Sequence, residues 1–112
     1  MNKKDDSIFI DHILDSIQAI EEFSKNMPKE ELTTNRIKKN AIVREIEVIG
    51  EAAKNISEAF KEKHKIIKWK NIIGTRDIMI HQYFGVNLDV VWSIIQEDLS
   101  KLKKQLKDIK NN

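Results

Sequence analysis

A chain of 112 residues that is 40% hydrophobic and 34% charged has enough apolar side chain for one packed core and too much for a disordered segment. Three glycines and one proline are too few for the frequent turns of a β-sandwich, and the absence of cysteine excludes disulfides, thiolate metal sites and cysteine nucleophiles. A net charge of +2 does not by itself name a polyanionic partner, and no apolar run exceeds three residues, which excludes a membrane span; Met1 to Asp6 lacks the apolar stretch of a secretion signal, so a cytoplasmic protein is expected.

Asp5, Asp6 and Ser7 are capping residues set just before Ile8, and Ile10, Ile13, Leu14, Ile17 and Ile20 follow at helical spacing. This predicts a first helix over about 7–25, ended by Asn26-Met27-Pro28. A second helical stretch starts near Glu30 and is weakly patterned through Asn40. From Ile42 the spacing of Ile42, Ile46, Ile49, Ala53, Ile56 and Phe60 is that of a helix packed lengthwise on others, with Gly50 inside it suited to close helix–helix approach. Lys61 to Lys65 form a charged hinge or a short turn of helix. Trp69, Ile72, Ile73, Arg76, Met79, Ile80 and Phe84 give a shorter helix that Gly85 can close. Asn87 can cap a long last helix to about residue 109, whose stripe is Leu88, Trp92, Ile95, Leu99, Leu102, Leu106 and Ile109. No strand-like alternation competes. The reading is an all-α, antiparallel four- to five-helix bundle formed by residues 1–112 as a single domain, with a homodimer expected because the second and last helices carry more apolar positions than one short neighbour each covers. A well-filled monomer core is the alternative.

Lysines crowd at Lys61, Lys63, Lys65, Lys68 and Lys70, and again at Lys101, Lys103, Lys104, Lys107 and Lys110. Such runs are either solvated helix surface or a patch that attracts phosphate. Of the histidines, His12 stands beside Asp11 and Asp15, and His64 stands in the lysine-rich hinge; both read as surface residues. His81 differs, lying in Arg76-Asp77-Ile78-Met79-Ile80-His81-Gln82-Tyr83 at a helix end.

Arg76 and His81 are five positions apart, about 140° around a regular helix and roughly 7.5 Å along it, so they do not share a face. Asp77 and His81 do, at i,i+4, so the carboxylate can orient the imidazole while the long Arg76 side chain reaches around to a common ligand. Tyr83 returns to the face of the arginine. The last turn of a helix also favours a cation at His81. An imidazole with an ordinary pKa of about 6.5 moves protons, and a guanidinium holds charge building on phosphorus, which together suit metal-independent cleavage of RNA. By spacing alone the signal is weak, because an arginine and a histidine five apart occur often by chance, and a surface arginine with a helix-end histidine is the favoured reading. Asp77 and His81 make a poor metal site without further ligands, so neither metal nor cofactor is called for.

At these residues the chain resembles the HepT-like branch of the HEPN superfamily, helical ribonuclease toxins encoded beside a minimal nucleotidyltransferase antitoxin, MntA. The resemblance rests on Ile49-Gly50-Glu51-Ala52-Ala53, on Trp69 with Ile72-Ile73-Gly74, on Arg76-x4-His81-x-Tyr83 and on Val91-Trp92, in that order. It implies a HEPN-like fold, a homodimer with the two motifs facing a shared cleft, Arg76 and His81 as the catalytic pair, Asp77 as their polar neighbour, and Tyr83 as the hydroxyl to which the partner adds AMP from ATP. Adenylates beside a pocket built for RNA phosphate would repel and block substrate. Glu51 either lines the cleft or is a helix-surface carboxylate. Lys68 and Lys70, with the C-terminal lysines, are candidates for holding the RNA backbone. The functional expectation is a ribonuclease toxin neutralised by AMPylation. The alternatives are a catalytically weak helical dimer that serves as a binding module for the nucleotidyltransferase, and a purely structural bundle.

Overall fold

The computed structural model describes residues 3–81 and 87–111, with side chains described at 5–75 and 87–111. Its first helix, α1 (Lys3–Ser24), turns Ile10, Ile13, Ile17 and Ile20 inward, the last three with no exposed surface. Fully burying such a side chain is worth about 1.5–3 kcal/mol, so this one stripe anchors the bundle. The helix begins earlier than the capping pattern predicts, and Asp5 and Asp6 fall inside its first turn, where carboxylates offset the helix dipole. The chain turns at Asn26 with a left-handed φ of 57°, a conformation asparagine tolerates better than most residues.

The polar stretch after Pro28 splits into a short α2 (Glu31–Thr34) and a long α3 (Arg36–Lys54), because the Asn35 side chain accepts from the Lys38 backbone N–H at 3.0 Å and restarts the helix. In α3 the residues Ile42, Ile46, Ile49, Gly50, Ala52 and Ala53 are buried. The α3 seam does not continue to Phe60 as its spacing suggests. The helix ends at Lys54, Ser57 caps a separate α4 (Glu58–Lys63) by accepting from the Phe60 N–H, and Ile56 is buried in the link. The hinge is therefore largely this short helix. Buried Asp6 holds the junction to α1: it accepts from the Ser57 N–H at 2.8 Å and from the Ser57 hydroxyl at 2.7 Å.

Beyond α5 (Trp69–His81), Asn87 caps α6 (Leu88–Ser93) by accepting from the N–H groups of Asp89 and Val90. The last rod runs on through a π-helical turn, Ile94–Asp98, into α7 (Leu99–Lys110). Its buried residues are Val91, Ile94, Leu99, Leu102 and Leu106. Trp92 and Ile95, expected on the seam, are only partly buried. The π turn supplies the reason, since its extra residue rotates everything before it by one position relative to α7. The rod lies antiparallel to α1, as Lys103 pairs with Glu21 at 2.9 Å and Lys110 with Asp11 at 2.6 Å. The fold is all-α, with four long rods, two short connecting helices and no strand among the described residues. No helix among these residues is long and apolar enough to cross a membrane.

Candidate functional site

The helix α5 is built differently from its neighbours. Trp69 is buried, its indole N–H donating to the His64 carbonyl at 3.1 Å, and Ile72 and Ile73 pack against the core from the next turn. Arg76 stands seven residues after Trp69 and four after Ile72, so its position continues the stripe that packs on α3. The apolar stripe of α5 is less regular than that of α1, α3 or α7. The helix runs unbroken through Arg76 and Asp77 to His81, its final residue. Tyr83, Phe84 and Gly85 lie outside the described residues.

The opposite end of α5 carries Lys68 and Lys70, both exposed. No acid occupies its first turn, so these lysines add to the positive end of the helix dipole where carboxylates would normally offset it. Of the neighbouring lysines, Lys61 pairs with Glu58 and Lys65 with Glu62, whereas Lys63, Lys68 and Lys70 have no ion pair among the described residues. The C-terminal run divides in the same way. Lys103 and Lys110 fasten the last rod to α1, while Lys101, Lys104 and Lys107 carry no ion pair among the described residues.

The remaining candidates separate in space. His12 is exposed, with its ring edge-on to Phe9, and it lines a groove of about 160 Å³ between α1 and α3 together with Arg44 and Glu51. His64 is half-buried and stacked on Phe60 with ring centroids 4.4 Å apart. Partial burial, with Lys63 adding to it, holds that imidazole below its ordinary pKa. A feature the sequence did not signal is a groove of about 170 Å³ between α3, α5 and α7. Its floor is aliphatic and its rim carries Lys68, Asn71, Thr75, Asp98, Lys101 and Gln105. Asp98 belongs to the π turn, and partial burial and then Glu97 push its carboxyl up, against the pull of Lys101.

A model of the ribonuclease HepT-like family matches residues 13–109, nearly the whole chain. The chain is a member of the ribonuclease HepT-like family. Among similar HepT-like or RNase-named proteins is the "Gamma-glutamylcyclotransferase and putative RNase MJ0434" of Methanocaldococcus jannaschii, 41% identical over 93% of this chain but only 47% of that protein. The "Putative RNase MJ1380" of the same organism is 38% identical, with 95% of this chain and 97% of that one covered. The "Probable ribonuclease HepT" of Thermococcus cleftensis is 34% identical, with 96% and 98% covered. No solved structure matches the chain at the same standard.

Proposed function

We propose that this HepT-like chain is a metal-independent RNA endonuclease in which Arg76 and His81 do the chemistry. The observation that carries the reading is that Arg76, Asp77 and His81 occupy the last turns of one helix in a member of a ribonuclease family. His81 moves the proton between the 2′-hydroxyl and the leaving oxygen, Arg76 stabilises the charge forming on phosphorus, and Asp77, one turn before His81, orients the imidazole. Lys68 and Lys70, roughly 12–16 Å back along α5 from the Arg76–His81 end, attract the RNA backbone.

Arg76 and His81 point about 140° apart on a regular helix, so one phosphate is reached more readily by the arginine of one copy and the histidine of another. The reading therefore includes a homodimer with the two motifs facing one cleft. It also includes a cytoplasmic toxin–antitoxin pair in which an MntA-like nucleotidyltransferase adds AMP to Tyr83, placing negative charge and bulk beside the phosphate site.

The test is cleavage of RNA by the purified protein in EDTA. His81→Ala should lower the rate by about 10²–10⁴-fold with the helical circular dichroism unchanged. Full activity in that variant would overturn the assignment. Absence of turnover by the unmodified protein, together with tight binding to the nucleotidyltransferase, would favour the binding module instead. Incubation with that partner and ATP should raise the mass by AMP increments, and Tyr83→Phe should prevent them.

A further inference from the structure

The groove between α3, α5 and α7 combines an aliphatic floor with cations at its rim. Its floor is formed by Ile46, Ile49, Ile72, Ile94, Leu99 and Leu102, and Lys68 and Lys101 line it from α5's leading end and from α7. Neither lysine has an ion-pair partner among the described residues, in a protein where Lys61, Lys65, Lys103 and Lys110 all do. The groove does not end there. Ile66 and Gln105 also line a second hollow of about 710 Å³, which continues beside α4 past Phe60 and His64 and carries a third such cation, Lys63. Between the two hollows Ile66 is 73% exposed.

From these observations we infer that the two hollows form a track for unpaired RNA, in which bases rest on the aliphatic floor and flanking phosphates meet Lys63, Lys68 and Lys101. The chemical class of the ligand rests on the ribonuclease reading above. Single strands are held without sequence readout by a cationic groove with side-chain platforms, usually aromatic, on which bases rest; here the first hollow offers an aliphatic platform and the second adds Phe60. A cavity of about 150 Å³ lined by aliphatic side chains accepts a benzene ring, so the first hollow has room for a planar base. Asn71, Gln105 and Asp98 supply hydrogen-bonding groups for base edges, the part of an RNA strand that a duplex conceals. Ile66 stands where it would part successive bases. Thr75, which lines the first hollow, immediately precedes Arg76 in the chain.

A second copy of this chain is the rival occupant of an apolar groove. A two-fold contact centred here would gather Lys68 and Lys101 of both copies, four cations, against two Asp98 carboxylates, and that excess of like charge opposes association. Charge complementarity therefore favours the polyanion.

The experiment measures binding by fluorescence anisotropy in the His81→Ala protein, using a labelled RNA of about eight nucleotides and an abasic strand with the same number of phosphates. The expected result is about tenfold weaker binding of the abasic strand. A Lys63→Gln/Lys101→Gln protein should bind RNA about tenfold more weakly and lose about 1.4 from the slope of log affinity against log salt, roughly 0.7 for each phosphate contact of a single strand. Lys25→Gln, an exposed lysine just after α1 and outside both hollows, should leave affinity and slope unchanged. Equal binding of both strands, or an unchanged slope in the double variant, would overturn the inference. So would a change in sedimentation of the double variant from dimer to monomer, which would assign the groove to a second copy. Cleavage is a separate readout. If His81→Ala still cuts RNA, the catalytic assignment falls and the anisotropy result stands; if cutting is lost while the abasic strand binds equally well, only the track falls.

Discussion

Single residues in this protein do work that their neighbours in the chain do not reveal. Asp6 reads from the sequence as a cap for the first helix, yet its two carboxylate oxygens are taken by Ser57, 51 residues away, and Ser57 in turn caps α4. Capping propensity is local information, while the choice between two local donors and a distant one is made by packing, so no spacing rule finds this pair. His64 is similar. It reads as a surface residue in a charged hinge, but it is stacked on Phe60, and its backbone carbonyl receives the buried Trp69 indole. Because partial burial and Lys63 lower its pKa, the folded state favours the neutral ring and the unfolded chain binds more protons. His64 thus contributes stability that is fully present above its unfolded pKa of about 6.5 and is lost as pH falls from there toward the lower folded value. Urea unfolding should give a smaller unfolding free energy at pH 5.5 than at pH 7.5. His64→Phe, which keeps an aromatic ring on Phe60, should show a visibly smaller fall over the same interval. An identical fall in the variant would mean that other groups carry the pH dependence.

At the scale of elements, periodicity located the rods and failed where a single residue was inserted or a helix was interrupted without losing phase. Ile56 and Phe60 keep the rhythm of α3 although the helix has ended, because the chain turns at Asn55 to Ser57 and still faces its apolar residues inward. In the last rod, the Leu99 N–H bonds to the Ile94 carbonyl, five residues back, and the π turn sets the stripe of α6 one residue out of phase with α7. A pattern of hydrophobic residues fitted to one continuous period cannot register that offset; it places Trp92 and Ile95 on the seam where the fold places Val91 and Ile94. Deleting the exposed Gln96 should convert the π turn to regular α-helix, with Ile94 and Leu99 then four residues apart and both flanks still facing the core. Its thermal midpoint should stay within a few degrees of the parent, as for a change of under about 1 kcal/mol. Deleting the equally exposed Lys104 supplies the contrast: it would swing buried Leu106 about 100° out of the core and should cost about 2–5 kcal/mol. Equal destabilisation by the two deletions would show that the π turn is not a one-residue insertion in an otherwise continuous helix.

For the molecule as a whole, the proposed catalytic motif was legible because it is contiguous, and the proposed RNA track was not because its cations come from α4, from the turn before α5 and from α7, brought together only by the bundle. The same contrast bears on how the proposed site is assembled. A motif confined to one helix end places Arg76 and Asp77 of every copy close to His81 in sequence, yet helix geometry sends the arginine and the histidine to different sides. If a shared cleft joins the arginine of one copy to the histidine of the other, two inactive proteins should rescue each other. Mixing Arg76→Ala with His81→Ala, after subunit exchange, produces mixed dimers in half of the population, each holding one site with both native residues and one with neither. About a quarter of the parental cleavage should return. A site completed within one copy gives the opposite outcome, since every copy in the mixture then lacks one of the pair and activity stays at the level of the separate variants. Cleavage measured against the mixing ratio should peak at equal proportions and vanish at both ends, a profile that residual activity of either variant alone cannot produce.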